Sequence, residues 1–137
     1  YIFSVIRKTA KRGATTMADI MIVDDSRVSR KVLRNSLEVL GHRVVGEAGS
    51  GDEALKLYDE CRPELVTMDI TMPGMDGYEC LYKIMQKDPS AKVIMITASA
   101  TSEKIVRALK YGSVDYIIKP FDDEILKSTI DRHLRKG

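Results

Sequence analysis

The chain has 137 residues, of which 44% are hydrophobic and 31% are charged. This length fits one domain of ordinary size, and the composition favours a folded core over a disordered chain. The formal net charge is +2, but four basic residues precede the first acidic one: Arg7, Lys8, Lys11 and Arg12. Because the remainder is mildly acidic, with 18 basic and 20 acidic residues, we expect no nucleic-acid partner.

The sequence shows no sign of a membrane segment or of export. Its apolar runs are all shorter than the roughly 18 to 20 residues that cross a bilayer. The apolar segment 1–6 precedes its basic residues, which is the reverse of the order in a signal peptide. Cys61 and Cys80 lie outside any CxxC motif, which argues against a disulfide framework or a zinc site. We therefore expect a cytoplasmic protein with no membrane partner.

Residues 1–16 precede Met17, which is a natural start for a domain at 17–137. We interpret these first residues as an N-terminal arm or extension. Its apolar segment, 1–6, is expected to be buried against the domain or a neighbouring chain, as an added strand or helix.

From Asp19 onward, strand and helix patterns alternate. The uninterrupted apolar run 20–23 predicts a strand covered on both faces, and the helix after it is capped by Ser26 and ends at Gly41. Strand 43–48 follows, and a capping-box sequence then opens a second helix at residue 50. We assign one broad apolar face to the first helix, formed by Val28, Val32, Leu33, Leu37 and Leu40.

The second half of the chain repeats this alternation. Strand 64–69 leads through a turn-rich segment, 71–77, into a helix from 78 to about 87. Strand 92–97 precedes a helix that carries Ile105, Val106 and Leu109. Strand 115–118 precedes the last helix, whose inner side is expected to hold Ile125, Leu126, Ile130 and Leu134. Five βα units with short links predict an open, doubly wound α/β sheet, whose ligands bind beyond the carboxyl ends of the strands.

Chemically active side chains stand at these carboxyl ends. They are Asp24 and Asp25 after the first strand, Asp69 at the third, Thr97 at the fourth and Lys119 after the fifth. Taken singly, each has an ordinary interpretation as a cap, a turn residue, a strand residue or a solvated charge. Their convergence on one edge of the sheet favours a functional site instead.

Three neighbouring carboxylates require a cation, since two of them about 4 Å apart repel by roughly 4 kcal/mol at an effective dielectric constant of ~20. Oxygen ligands without histidine or cysteine favour Mg²⁺. A metal ion, a lysine and a hydroxyl around one carboxylate are the groups that phosphoryl transfer uses. We assign Asp69 as the nucleophile that forms an acyl phosphate.

The sequence resembles the receiver domains of two-component response regulators, most closely the single-domain chemotaxis-type (CheY-like) proteins. The resemblance covers about residues 18–136 and rests on four motifs: IVDDS after the first strand, MDITMPGMDG around the third, ITA at the end of the fourth and DYIIKPF at the fifth. It implies a flavodoxin-like fold with five helices and strand order 2-1-3-4-5. It also implies a signalling switch that supports only its own phosphorylation and dephosphorylation, and is not otherwise an enzyme.

The resemblance assigns the metal site residue by residue. It implies that Asp25 binds Mg²⁺ directly and that Asp24 binds it largely through water. Asp69 becomes both phosphoacceptor and metal ligand, and the backbone carbonyl of Thr71 becomes the third protein ligand. The residues two positions after Asp69 and Thr97 influence how long the phosphoryl group lasts. Here these are Thr71 and Ser99, which lack the amide and carboxylate of fast-hydrolysing members, so we expect a longer lifetime.

The resemblance also implies the switch and its partners. Thr97 is the switch hydroxyl, Lys119 the counter-charge of the phosphoryl group and Tyr116 the switch aromatic, with small Ala98 beside the phosphoryl group and a cis bond before Pro120. The phosphodonor is a sensor histidine kinase. The output surface is formed by the fourth helix, fifth strand and fifth helix, and it binds a downstream effector. Candidate effectors are a flagellar motor component and a phosphotransfer protein of a relay.

Two rival functions remain at this stage. A haloacid-dehalogenase-type phosphatase also uses an aspartate nucleophile, but the sequence from Asp24 to Val28 lacks the second spaced aspartate of its DxDx[TV] motif. A flavodoxin-like electron carrier requires a phosphate loop after the first strand, where an acidic pair stands instead. His42 and His133 have no ligand partners nearby in the sequence, so we assign them surface or packing roles.

Overall fold

The structure, a computed structural model, describes residues 17–99 and 101–134. The N-terminal arm at 1–16 lies outside these residues, so its burial and the domain boundary at Met17 stay predictions. The five strands are β1 (Asp19–Val23), β2 (Arg43–Ala48), β3 (Leu65–Asp69), β4 (Val93–Thr97) and β5 (Asp115–Ile118). The five helices are α1 (Arg27–Val39), α2 (Gly51–Cys61), α3 (Gly77–Lys87), α4 (Ser102–Lys110) and α5 (Asp123–Leu134).

All strand pairings in the sheet are parallel, and the strands lie in the order β2-β1-β3-β4-β5. This arrangement confirms the predicted doubly wound α/β fold. The predicted caps also form: the Ser26 hydroxyl accepts a hydrogen bond from the Ser29 N–H at 3.2 Å, and Gly41 ends α1 with φ +95°. Among residues 17–99 and 101–134, no helix has the length and apolar character needed to cross a membrane.

Successive residues of each strand point to opposite faces of the sheet, which therefore carries two cores. One core packs the sheet against α2, α3 and α4, where Tyr58, Leu81 and Ala108 are buried. The other packs it against α1 and α5, where Leu37 and Leu126 are buried. This second core lies directly beneath the site described below.

The predicted apolar face of α1 is wrong in part. Leu33 and Leu37 are buried, but the side chains of Val28 and Val32 are 74% and 60% exposed. At about 100° per residue, these valines lie roughly 100° or more around the helix from the buried leucines, so the five positions do not share one face. Val39 is 78% exposed and falls on the same stripe as the other two valines.

The predicted inner side of the last helix, α5, is also wrong in part. Leu126 and Ile130 of α5 are fully buried, whereas Ile125 is 48% exposed instead of facing inward. One residue before Leu126 is about 100° away around the helix, which places Ile125 at the side of the buried stripe.

Candidate functional site

The parallel strands bring their carboxyl ends to one edge of the sheet, and the predicted acidic residues meet there. Asp24 and Asp25 directly follow β1, and Asp69 is the last residue of β3. Carboxylate oxygens of all three lie within 4.8 Å of one another. The predicted convergence of the acidic residues is therefore confirmed, and it gives a cluster of oxygen ligands.

Asp24 is held in place from several directions. Its side chain is buried, with Oδ1 accepting a hydrogen bond from the Ser26 N–H at 2.8 Å and Oδ2 lying 3.4 Å from the Lys119 Nζ. Its backbone carbonyl accepts a hydrogen bond from the Arg30 guanidinium. Asp25 is exposed. The acidic pair therefore combines a fixed, buried carboxylate with one that reaches solvent.

Asp69 lies between these groups and is half-buried. Burial raises the pKa of its carboxyl group, and the negative charge of Asp24 raises it further. The Lys119 ammonium and a hydrogen bond from the Thr71 N–H act in the opposite direction and lower this pKa. The Thr71 N–H thus lies against the Asp69 side chain. The electrostatics favour a cation beside Asp69.

The loop after β3 returns close to the end of that strand. The Gly77 N–H donates to the Ile70 carbonyl at 2.7 Å, and a Cβ atom at Gly77 would lie only 2.3 Å from the Asp69 carbonyl oxygen. Only glycine fits there without movement of the backbone. Asp76 caps α3 by accepting from the Glu79 N–H at 2.9 Å. Sequence reasoning placed Gly77 in a turn without detecting this contact.

Thr97 ends β4 next to the acidic cluster, and its hydroxyl is engaged by its own loop. The hydroxyl donates to the Ser99 carbonyl at 2.9 Å and accepts from the Ser99 N–H at 3.1 Å. Ala98 between them is exposed. Strands β4 and β5 are neighbours in the sheet, as expected, since Met95 pairs with Tyr116. The peptide bond between Lys119 and Pro120 is cis, as the resemblance implied.

Comparison with known proteins decides the family. The model of the response regulator receiver domain family matches residues 20–131. The chain belongs to the response regulator receiver family.

Several of the proteins to which the chain is similar are CheY proteins. The chain is 48% identical to the chemotaxis protein CheY of Listeria monocytogenes over 113 residues, covering 82% of this chain and 95% of that protein. It is 42% identical to CheY of Thermotoga maritima over 102 residues, covering 74% and 85% of the two chains. In a CheX-CheY-BeF3-Mg complex from Borrelia burgdorferi, the matching chain is 34% identical, with a TM-score of 0.83 and coverage of 86% and 90%.

This protein is thus a CheY-type receiver domain, and receiver domains of this type act as phosphorylation-activated signalling switches, not as classical enzymes. The haloacid-dehalogenase and flavodoxin interpretations are set aside by the family match. The relatives named above support a role in chemotaxis.

Sequence reasoning missed two arginines of α1, one of which contacts the site directly. Arg30 reaches from α1 to the Asp24 carbonyl and also lies 3.4 Å from Glu47 of β2. Arg34 pairs with the same Glu47 and with Glu38. The two pairs with Glu47 join residues 13 or more positions apart and leave no local sequence signal, so only the fold reveals that these arginines attach α1 to β2.

The predicted output surface of the receiver domain carries exposed apolar side chains on all three of its elements. Leu109 of α4, Ile118 of β5 and Ile125 of α5 are each nearly half-exposed. The Arg107 guanidinium of α4, by contrast, stacks over the Tyr78 ring at 4.3 Å from its centroid. We call the exposed parts of α4, β5 and α5 the output face.

Proposed function

We propose that Asp69 accepts a phosphoryl group from a sensor histidine kinase in a Mg²⁺-dependent reaction, and that this changes effector binding at the output face. The single observation that carries this proposal is the cluster of Asp24, Asp25 and Asp69 at one sheet edge, with Lys119 and Thr97 beside it. The CheY relatives favour a chemotaxis pathway.

The donor atoms of the cluster suit Mg²⁺. They are carboxylate oxygens, the ligands that this ion prefers, and exposed Asp25 leaves space for the water molecules that Mg²⁺ retains. Asp25, Asp69 and the Thr71 carbonyl would hold the ion directly, with Asp24 acting through water. When bound, Mg²⁺ would neutralise the carboxylates and the phosphoryl oxygens. That the pKa of Asp69 is raised by burial and by Asp24 supports the need for such a cation.

The transfer itself requires little from the protein beyond positioning and charge. A carboxylate oxygen of Asp69 attacks the phosphorus of a phosphohistidine, the P–N bond breaks, and its electron pair returns to the imidazole. Lys119 is already at this edge and can pair with the new phosphoryl oxygens. Thr97 can donate its hydroxyl to one of them when it releases the Ser99 carbonyl.

We infer that the signal then passes from Thr97 to the output face. Movement of Thr97 toward the phosphoryl group would leave space beneath α4, into which Tyr116 of the adjacent strand β5 rotates. Exposed Leu109, Ile118 and Ile125 supply the apolar contacts of an effector. A flagellar motor component is the effector that a chemotaxis role predicts, while a phosphotransfer protein is the effector of a relay.

The test is phosphorylation of the purified chain by acetyl phosphate or a phosphorylated histidine kinase, followed by intact-protein mass spectrometry. We expect Mg²⁺-dependent modification that Asp69→Asn abolishes. Asp52→Asn is the matched control, since Asp52 is exposed on α2 and outside the cluster. Modification that persists in Asp69→Asn or in excess chelator would contradict the assignment.

A further inference from the structure

The outer side of α1, which points away from the core, is apolar. Val28, Val32 and Val39 are 74%, 60% and 78% exposed, and Asn35 between them is also exposed. At 3.6 residues per turn these four positions fall within about 60° of the helix circumference, on the side opposite buried Leu37. A surface helix normally places polar residues on that side. We call these four exposed residues the α1 stripe, and its burial against another surface is favourable.

The α1 stripe has the spacing of a coiled-coil seam. Its members follow one another at intervals of four, three and four residues, the order in which d and a positions of a heptad repeat alternate. Val32 and Val39 then occupy a positions, and Val28 and Asn35 occupy d positions. The seam is about three helical turns long, so it fits a helix of similar length.

The charged residues beside the α1 stripe indicate which helix it fits. Lys31 and Glu38 lie on the same flank, at successive g positions, and both are exposed. Because g positions face each other in an antiparallel pair, a second copy of this helix brings Glu38 against Lys31, and symmetry repeats the contact. In a parallel pair Lys31 would face an e position, which here is the uncharged Ser36. Charge complementarity therefore favours an antiparallel second copy.

We propose that α1 pairs with α1 of a second copy of this chain, antiparallel and about a two-fold axis. Val28 of each copy then packs against Val39 of the other, and Val32 lies opposite Asn35. The two Asn35 side chains lie next to the axis, where each amide can donate to the carbonyl of the other. The reciprocal charge pairs on the flank fix the register of the two helices.

This interface is small, because one helix of each copy forms it. Contacts of this size bury less than about 1,200 Å², which is typical of weak and transient associations. We expect a dissociation constant on the order of 100 μM. The inference goes beyond the proposed function and does not depend on it, since association is measured without Mg²⁺ or phosphodonor.

The test is sedimentation equilibrium of the full chain at concentrations from about 10 μM to about 1 mM. We expect the average mass to rise from that of one chain toward that of two. Val32→Glu buries a charge at the centre of the seam and is expected to abolish the rise. Val106→Glu is the matched control, since Val106 is 61% exposed but lies on α4. It is expected to associate as the parent chain does.

Charge reversal tests the register and orientation. Lys31→Glu and Glu38→Lys each oppose like charges in both symmetric contacts, so each is expected to weaken association by roughly five- to tenfold. The double variant Lys31→Glu with Glu38→Lys exchanges the charges and is expected to restore the parent affinity to within about twofold. The proposal is overturned by a single-chain mass at about 1 mM, by equal effects of Val32→Glu and Val106→Glu, or by a double variant that associates no better than the single ones.

Discussion

Lys119 and Asp24 meet across 95 positions of the sequence, with the lysine Nζ 3.4 Å from the carboxylate Oδ2. The same ammonium lowers the pKa of Asp69, so its charge acts on both carboxylates. The structure thus shows the lysine paired within the acidic cluster. Phosphorylation of Asp69 would offer Lys119 a new and more highly charged partner.

Replacement of Lys119 by methionine is expected to strengthen Mg²⁺ binding. The three carboxylates would lose the cation that offsets their repulsion, so a metal ion would gain more from binding them. For a pair that is partly exposed, we expect an increase in Mg²⁺ affinity of about fivefold, equivalent to about 1 kcal/mol. Isothermal titration with Mg²⁺ measures this change directly.

Lys92→Met is the control for this charge effect. Lys92 is exposed, and its ammonium donates to the His133 carbonyl at 2.8 Å, so it serves a different part of the fold. We expect the parent Mg²⁺ affinity in this variant. Equal affinities in Lys119→Met and the parent chain would show that the lysine does not compensate the acidic cluster.

Thr97→Ala is expected to leave Asp69 phosphorylatable but to uncouple it from the output face. In the structure the Thr97 hydroxyl bonds only the Ser99 backbone among the described residues, so its loss spares the acidic cluster. The measurement is the set of amide shifts that a beryllofluoride phosphoryl mimic produces in α4 and β5. We expect most of these shifts to disappear in Thr97→Ala.

The conservative variant Thr97→Ser keeps the hydroxyl and is expected to restore the shifts at the output face. Because phosphorylation biases states that already exist, the restored shifts should follow the directions seen in the parent chain. A full mimic response at α4 and β5 in Thr97→Ala would mean that the signal leaves the site by another route.

The sheet and the acidic cluster could be predicted because each depends on local sequence. Buried strands appear as short apolar runs, and parallel strands bring the residues at their ends, such as Asp24, Asp69 and Lys119, to one edge. The roles of these residues came from the resemblance to receiver domains, since a carboxylate at a strand end has several ordinary explanations.

The remaining features depend on how side chains meet across elements. An apolar residue type does not reveal which side of a helix it occupies, and so Val28 and Ile125 were placed on buried faces although they are exposed. The contact of Arg30 with Glu47 joins positions distant in sequence. The Thr67 hydroxyl, which has no hydrogen-bond partner among residues 17–99 and 101–134, became visible only with its neighbours in place.

The phosphoryl group on Asp69 is expected to last longer than in fast-hydrolysing chemotaxis relatives. Those relatives carry an amide and a carboxylate two positions after Asp69 and Thr97, on either side of the path of the hydrolytic water. Here those positions are Thr71 and Ser99, and both are exposed beside the site. The double substitution Thr71→Asn with Ser99→Glu should accelerate loss of phosphate several-fold. The measurement is the decay of phosphorylated protein after removal of the phosphodonor, and an unchanged or slower decay would refute the prediction.

His42 follows α1 in the chain and hydrogen-bonds to Ala18, the residue before β1. Its environment favours the neutral imidazole. The ring is buried, and its Nδ1 accepts a hydrogen bond from the Ala18 N–H at 3.1 Å, so this nitrogen has no proton. Burial lowers the pKa of His42 below its ordinary value, and the positive charge of Lys127 lowers it slightly further. The carboxylates of Asp131 and Glu64 act in the opposite direction but do not reverse the shift.

The lowered pKa of His42 predicts a loss of stability in mild acid. In the unfolded chain, histidine binds a proton with a pKa of about 6.5, whereas the folded chain resists protonation of His42. The free energy of unfolding is therefore expected to fall as the pH decreases below about 6.5, by at most about 1.4 kcal/mol per pH unit. Urea denaturation at pH 7.5, 6.5 and 5.5 measures this loss.

His42→Gln supplies an uncharged acceptor for the Ala18 N–H and should reduce the loss, while His133→Gln should retain it. Equal pH dependence in the parent chain and in His42→Gln would show that protonation of this ring does not govern acid stability.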